Sequence, residues 1–342
     1  MRLSAAPVCV LCLMLVAAAV APSGQTAAPV NQPVAARPLT NRTFERTPAR
    51  LARGKYLVEG PAHCFLCHSE NDWSNGGQPI AGKKGGGRLW TDYPSAAWLV
   101  SPNISPDPEF GAGKWSDDML ARAIREGVGH DGRPLVFMPW EAFRVLSDED
   151  LASIVVYLRS IPAVRIQRPK MQMPEAVRQS LKPEPLTAPV SEPAFKTAAD
   201  RGKYLARIGQ CEGCHTPDDP KTEQPIPAML FGGGQRFKST PDSWGDVHSA
   251  NITSDPSGIS YYTPELFVQV IRTGAVVARK LNPVMPHAYF RNMTDEDLQA
   301  IFAYLRTLPP VKHRVSNTDP PTDCKVCGRK HGLGALNHTP TN

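Results

Sequence analysis

The sequence lacks both a long apolar run and a long run of charges of one sign. The apolar stretch from Val8 to Val20 is shorter than the roughly 20 residues that a helix needs to span a membrane. No basic segment is interleaved with aromatic residues, which make up only 7% of the chain, so nucleic acid is a poor candidate for a partner. A formal net charge of +6 favours docking to acidic partners but identifies none of them.

The first residues have the order of a secretory signal peptide. Arg2 precedes the apolar stretch, and small residues follow it through Ala28, as in signals that direct export. A retained membrane anchor is the alternative for this segment. Cys9 and Cys12 fall within the signal, so six of the eight cysteines remain in the mature chain.

Four of these six cysteines lie in two Cys-x-x-Cys-His boxes. The boxes consist of Cys64, Cys67 and His68, and of Cys211, Cys214 and His215. Two cysteines at this spacing can each form a thioether to one vinyl group of a haem, and the histidine that follows is held against the iron as an axial ligand. A redox disulfide or half of a zinc site would explain a single box. Because the box occurs twice within matching flanks, we predict two covalently bound haem c groups. Export and haem attachment together predict a bacterial periplasmic location, or one at the outer face of the inner membrane.

The flanks of the boxes repeat at an offset of 147 or 148 residues. Arg-Gly-Lys-Tyr precedes each box, at residues 53–56 and 201–204. We expect the glycines of these motifs, Gly54 and Gly202, to let the first helix of each domain cross the last one closely. A period of this length indicates tandem domains rather than a solenoid.

Helix caps and loop composition divide the chain into segments. Ser116, Ser147 and Thr294 are residue types that cap helix N-termini, and loops rich in glycine and proline separate the helical segments. We therefore predict an all-α protein with two tandem domains and loop-rich haem pockets. The predicted segments are a signal peptide (1–28), a flexible spacer (29–47), a first haem domain (48–165), a proline-rich linker (166–197), a second haem domain (198–312) and a Cys- and His-containing C-terminal tail (313–342).

Two methionines are candidates for the second axial ligand of each iron. Met138 and Met285 each lie 70 residues after the histidine of the preceding box, and each is followed by proline. The other methionines and histidines have no partner of their own kind at the repeat offset; His63, for example, pairs with Gln210. Histidine–methionine ligation raises the reduction potential and fills both axial positions. This pattern predicts electron transfer at sites that have no open position for a substrate.

The C-terminal tail contains a Cys-x-x-Cys pair without a histidine in the ligand position. Gly328 follows Cys324 and Cys327, so a third haem is disfavoured. A disulfide between these cysteines suits an oxidising compartment, and a zinc site that uses Cys324, Cys327 and His331 has suitable ligand types. The sequence leaves both alternatives open.

The boxes, methionines and flanking motifs resemble those of the diheme relatives of class I cytochrome c. Among these, the chain is most similar to the cytochrome c subunits of periplasmic alcohol, aldehyde and sugar-acid dehydrogenases. The similarity covers residues 50–165 and 198–312. The motifs that carry it, besides the boxes, are Asn-Ile-Ser-Pro-Asp at 103–107, Asn-Ile-Thr-Ser-Asp at 251–255, and Asp-Glu-Asp-Leu at 148–151 and 295–298. Many such subunits carry three haem boxes, whereas this chain has two.

The resemblance implies two tandem class I cytochrome c domains with His68 and His215 as proximal ligands and Met138 and Met285 as distal ones. It implies an electron-transfer protein, or the cytochrome subunit of a dehydrogenase complex, rather than a catalyst in its own right. Electrons would come from a periplasmic dehydrogenase and pass to a cytochrome or a terminal oxidase. Membrane association would come through a retained N-terminal segment or a partner subunit. The alternative is a diheme enzyme of the peroxidase or thiosulfate-oxidising type, in which one haem is open.

Overall fold

The computed structural model describes residues 36–91, 98–237, 247–276, 279–317, 322–323, 328 and 330–331. The predicted signal peptide lies outside these residues. Within the described ranges, every helix is too short or too polar to cross a membrane.

Eleven α-helices occur in the described part of the chain. They are α1 (Pro48–Glu59), α2 (Cys64–Cys67), α3 (Asp117–Glu126), α4 (Trp140–Phe143), α5 (Asp148–Leu158), α6 (Glu175–Ser180), α7 (Ala198–Ile208), α8 (Cys211–His215), α9 (Pro264–Thr273), α10 (His287–Phe290) and α11 (Asp295–Leu305). The hydroxyl groups of Ser116, Ser147 and Thr294 each accept a hydrogen bond from the backbone N–H three residues later. The three predicted caps are confirmed, and acidic first turns add to them by offsetting the positive end of each helix dipole.

The chain also contains short strands, so the prediction of an all-α protein is wrong. Only about 36% of the structure is helical. Ten strands form five antiparallel pairs in order along the described chain. They are β1 (Asn71–Asp72), β2 (Gln78–Pro79), β3 (Arg88–Leu89), β4 (Val100–Ser101), β5 (Arg236–Phe237), β6 (Val247–His248), β7 (Ala275–Val276), β8 (Arg279–Lys280), β9 (Thr322–Asp323) and β10 (Lys330–His331). Strands of two residues are too short to show the alternation of apolar and polar residues by which a strand is predicted.

The first helix on the N-terminal side of each box crosses a later helix at a glycine. A methyl group on Gly54 of α1 would lie 1.9 Å from the carbonyl oxygen of Ser153 in α5. One on Gly202 of α7 would lie 1.8 Å from the carbonyl oxygen of Ala300 in α11. Any side chain would therefore force each helix pair apart, and the predicted role of the two glycines is confirmed.

The two copies of the repeat share one core, so the prediction of two tandem domains is also wrong. We call residues 36–173 the first half and residues 195–317 the second half. Buried apolar side chains of both halves form one continuous cluster, which includes Leu57 and Leu205, and the described residues from 36 onward belong to one compact unit. A sequence repeat predicts that two segments fold alike, but it does not show whether they bury their apolar faces against each other.

Two tyrosines cross between the halves. The hydroxyl of Tyr56 in α1 donates a hydrogen bond to Asp297 at the start of α11, and that of Tyr204 in α7 donates to Asp150 at the start of α5, at 2.7 Å. An arginine of the same half as each aspartate also binds it. Arg201 binds Asp297, and two guanidinium nitrogens of Arg53, Nε and Nη2, donate to Asp150 at 2.7 and 2.8 Å. Each buried carboxylate thus receives hydrogen bonds from both halves, which ties them together.

The segments at the two ends of the first half lie along its surface. Arg37 donates two hydrogen bonds to the buried carboxylate of Asp118, at 2.7 and 2.8 Å. Arg168 donates to the carbonyl oxygens of Gly86 and Gly87, both at 2.9 Å. The predicted boundaries of the spacer, linker and other segments remain predictions.

Candidate functional site

A first cavity brings the first box together with the methionine that follows it in sequence. Its walls include Cys64, Cys67, His68 and Met138. The space between the walls, with its open mouth, measures about 1280 Å³. All four residues that the sequence predicts for the first site therefore line one cavity.

A second cavity has the same composition in the second half. Cys211, Cys214, His215 and Met285 line it, and it measures about 1520 Å³ with its open mouth. The structure does not mix the two sets, since each methionine lines the cavity of the box that precedes it.

The histidine of each box has one ring nitrogen occupied by the backbone. Nδ1 of His68 lies 2.9 Å from the carbonyl oxygen of Pro102, and Nδ1 of His215 lies 2.7 Å from that of Ala250. An N–H at Nδ1 donates to these oxygens, which leaves Nε2 as the free lone pair for a metal. Burial lowers the pKa of both imidazoles, so each ring stays neutral, as a metal ligand must.

The four box cysteines are free thiols in apolar surroundings. They form no disulfide although each pair is only three residues apart. Burial raises the pKa of the Cys64 and Cys211 thiols to about 12 and that of the Cys67 and Cys214 thiols to about 11. Neutral thiols lining a cavity fit the attachment of a haem through its vinyl groups better than they fit a thiolate redox centre.

The two methionines occupy equivalent turns. Each is followed by the proline that precedes a short helix, α4 in the first half and α10 in the second. The carbonyl oxygen of Met138 accepts a hydrogen bond from the N–H of Trp140 at 2.8 Å. That of Met285 accepts one from the N–H of His287 at 2.7 Å. Both side chains are partly buried against the core.

Polar and aromatic groups complete the first cavity. The rings of Trp115 and His130 stack with their centroids 4.2 Å apart. Arg133 has a buried Nε that makes no hydrogen bond and lies 3.5 Å from Asp131 Oδ2. An arginine in a cavity wall with an unused donor suits the carboxylate of a haem propionate.

The residues of both cavities fit haem c. Each cavity offers two free thiols, a neutral imidazole with an available Nε2, and a thioether sulfur, within walls that are otherwise mainly apolar. This donor set satisfies the covalent and axial requirements of a haem of the cytochrome c type.

Sequence reasoning overlooked two residues of these walls. His63 and Gln210 directly precede the two boxes, and each lines both cavities. As a candidate ligand, His63 was set aside because its counterpart is Gln210 and not a second histidine. The available signal was different: both are polar residues at the same position next to a box.

The tail cysteines Cys324 and Cys327 lie outside the described residues. His331 lies on β10, where it pairs with Thr322 of β9. Elsewhere in the described part of the chain, no group of three His, Cys, Asp or Glu residues could hold a metal ion. The zinc site and the disulfide both stay predictions.

Comparison with known proteins shows that the chain is similar to cytochromes c. Residues 199–309 match the family model for cytochrome c. A diheme cytochrome c-type protein of Cereibacter sphaeroides is 27% identical over 73% of this chain and 83% of its own length. The resemblance inferred from the motifs is confirmed: the chain is similar to cytochromes c.

Two other relatives belong to dehydrogenases. One of the subunits of nicotinate dehydrogenase from Pseudomonas putida is 30% identical over 76% of this chain. The cytochrome c subunit of alcohol dehydrogenase (quinone) of Gluconobacter oxydans is 26% identical over 77% of it. The chain spans only 21% of the first relative and 55% of the second.

Proposed function

We propose that this protein is a diheme cytochrome that takes single electrons from a dehydrogenase and passes them to a downstream cytochrome or oxidase. The observation that carries the proposal is that each cavity brings one box together with the methionine that lies 70 residues after its histidine. A haem bound in either cavity supplies a one-electron Fe(III)/Fe(II) couple.

The residues of this chain would hold the iron ligands in fixed positions, which favours rapid electron transfer. The hydrogen bonds from His68 to Pro102 and from His215 to Ala250 keep both imidazoles oriented. Met138 and Met285 are anchored by the backbone contacts of their own turns. Fixed ligands on both sides of an iron restrict movement between oxidation states and exclude a substrate from the metal.

The proposed donor follows from the relatives. Two of them are named as subunits of nicotinate dehydrogenase and of alcohol dehydrogenase (quinone). We infer that the donor is a dehydrogenase with which this chain forms a complex, transient or permanent. From the signal-like first residues we further propose export to the periplasm.

The test begins with the mature, haem-loaded protein. Haem content should be two per chain, and the oxidised spectrum should show low-spin haem with a sulfur-to-iron charge-transfer band. The reduced protein should not bind carbon monoxide. One haem that binds carbon monoxide readily would contradict the carrier and support the peroxidase or thiosulfate-oxidising alternative.

Single variants then test the ligands. Met138→Ala and Met285→Ala should each open one iron, which lowers its reduction potential and lets it bind carbon monoxide. Met119→Ala is the control, because Met119 is not one of the described residues that line the two cavities. Unchanged spectra in both ligand variants would exclude these methionines as ligands.

A further inference from the structure

The two cavities meet at two residues. Among the described residues, only His63 and Gln210 line both cavities. They occupy equivalent positions, since each directly precedes the first cysteine of a box. A haem bonded to Cys64 or Cys211 would therefore have, one residue away along the chain, a side chain that also lines the other cavity.

Both residues have a backbone conformation that is uncommon for side chains other than glycine. The φ angle is 33° at His63 and 55° at Gln210. A side chain in the left-handed region strains the backbone. The same conformation at both positions shows that the turn into each box is a built feature of the repeat, and it holds both side chains at the boundary of the cavities.

Contacts from both halves fix the ring of His63. Nδ1 lies 2.9 Å from the carbonyl oxygen of Pro61 in its own half. The ring packs edge-on against Phe290 of the second half, with centroids 5.4 Å apart and an interplanar angle of 87°. Phe290 itself lines the second cavity. The imidazole is only 8% exposed, so it is part of the wall between the cavities.

A residue of the first box also belongs to the wall of the second cavity. Leu66, which lies between Cys64 and Cys67, lines that cavity. The first box itself therefore reaches the boundary between the two cavities.

We propose that His63 and Gln210 are positioning residues that bridge the two haems at their cysteine-bonded edges and set the rate of electron exchange between them. This inference rests on the proposed diheme function. The exchange moves one electron from one site to the other, so that one iron is oxidised while the other is reduced, and no bond forms or breaks. Burying the imidazole of His63 between apolar cavities costs free energy, which a purely structural wall of leucines would avoid.

Shortening the bridge tests its role. His63→Asn and Gln210→Asn keep a polar side chain and suit a left-handed backbone, because asparagine tolerates positive φ better than other residues. Each should slow inter-haem exchange, measured in half-reduced protein by NMR exchange or after rapid photoreduction. The double variant should be slower than either single one. His63→Gln places glutamine at both positions and should retain most of the rate.

A control separates the bridge from an unspecific effect of substitution. Met119→Ala changes a residue that is not among the described residues lining either cavity, so it should not change the exchange rate. The haem content, the charge-transfer band and the two midpoint potentials are measured for every variant. These readouts establish that the variants keep their haems and ligands.

The outcomes distinguish this inference from the proposed function. Slower exchange in both asparagine variants, with two haems and intact ligation, supports the bridge. Unchanged exchange in both would overturn it while leaving the diheme carrier intact. A wild-type protein with one haem, or with an open iron, would overturn the proposed function and this inference together.

Discussion

The two cavities combine the same donor set with different surroundings. The first has a stacked Trp115–His130 pair and Arg133 in its wall. In the second, Tyr262 takes the place of Trp115 at the repeat offset, and the described wall residues include no arginine or lysine. Because surroundings tune the potential of a haem through charge, hydrogen bonding and burial, equal ligands do not imply equal potentials. The comparison shows that a repeat can preserve the chemistry of a site while its electrostatics diverge.

The mouths of the cavities differ as well. Phe137, just before Met138, has a φ of 60° and a side chain that is 66% exposed. Val284, just before Met285, is half-buried. The first cavity therefore has an exposed aromatic ring beside its methionine, whereas the second has a smaller and better covered side chain there.

The largest expected effect concerns the helix crossings, where the two halves should behave alike. Gly54→Ala and Gly202→Ala each place a methyl group within 2 Å of a carbonyl oxygen of the facing helix. Because backbone atoms cannot move aside without separating the helices, each variant should lose at least about 3 kcal/mol of unfolding free energy. Thermal or denaturant unfolding of the haem-loaded protein measures this.

Gly213→Ala is the control for these crossings. A methyl group there would meet no atom within 4 Å, so stability should be unchanged or slightly higher. A large loss in only one crossing variant would show that one half can relax and the other cannot.

The two tyrosines that cross between the halves should contribute unequally to the free energy of unfolding. In Tyr56→Phe, Asp297 loses the hydroxyl donor and keeps Arg201; in Tyr204→Phe, Asp150 keeps both nitrogens of Arg53. A hydrogen bond to a charged group contributes about 1.5–3 kcal/mol. We expect both variants to be destabilised within this range, with Tyr56→Phe the worse, in the same unfolding assay. Equal losses would mean that the second nitrogen of Arg53 adds nothing.

These tyrosine contacts also show where prediction from sequence ends. The caps at Ser116, Ser147 and Thr294 were predictable because a cap depends on a side chain and a backbone N–H only three residues away. Tyr56 and Asp297 are 241 residues apart, and the repeat makes Tyr56 equivalent to Tyr204 without showing that each binds the opposite half. The shared core and the two-residue strands escaped prediction because they depend on packing, not on local pattern.

The candidate site shows the same limit. Equal spacing brought forward Met138 and Met285, and the structure lines each cavity with one of them. The requirement that an axial ligand recur as the same residue type in both copies excluded His63, because its counterpart is Gln210. Residues that form the wall between two sites need to occupy equivalent positions in the repeat, but they need not be the same residue type. Only the three-dimensional structure shows that these two positions lie at a shared boundary.

The electrostatic difference between the cavities can be tested at Arg133. A cation favours the reduced haem, which carries one more negative charge, so Arg133→Leu should lower the midpoint potential of the first site. A charge at the cavity wall acts with up to roughly 1–2 kcal/mol at an effective dielectric constant of about 20, which is about 40–80 mV for one electron. Redox titration measures both potentials.

The counterpart of Arg133 in the repeat supplies the matched control. Lys280 lies at the 147-residue offset and is exposed. Because solvent screens it, Lys280→Leu should shift neither potential appreciably. A shift as large as that in Arg133→Leu would mean that net charge, and not the cavity wall, sets the difference.

The smallest expected effect is on thermal stability at acid pH, and it concerns Asp118 and its counterpart in the repeat. Burial alone would raise the pKa of Asp118, but hydrogen bonds from Arg37 and Thr40 outweigh it and lower that pKa to about 2. A carboxyl whose pKa is lower in the folded state stabilises the fold at pH values above its pKa in the unfolded chain, which is near 3.8. This stabilisation is lost as the pH falls towards 2. Asp118→Asn should therefore flatten the fall in thermal stability between about pH 4 and pH 2. Glu265, its counterpart at the start of α9, is exposed, and hydrogen bonds from its own backbone and from Thr263, with no arginine partner, lower its pKa. Because solvent weakens these interactions, Glu265→Gln should flatten the profile less than Asp118→Asn does. An equal flattening in both variants would show that acid acts on the two halves alike, in spite of the buried ion pair that ties residues 36–47 to α3.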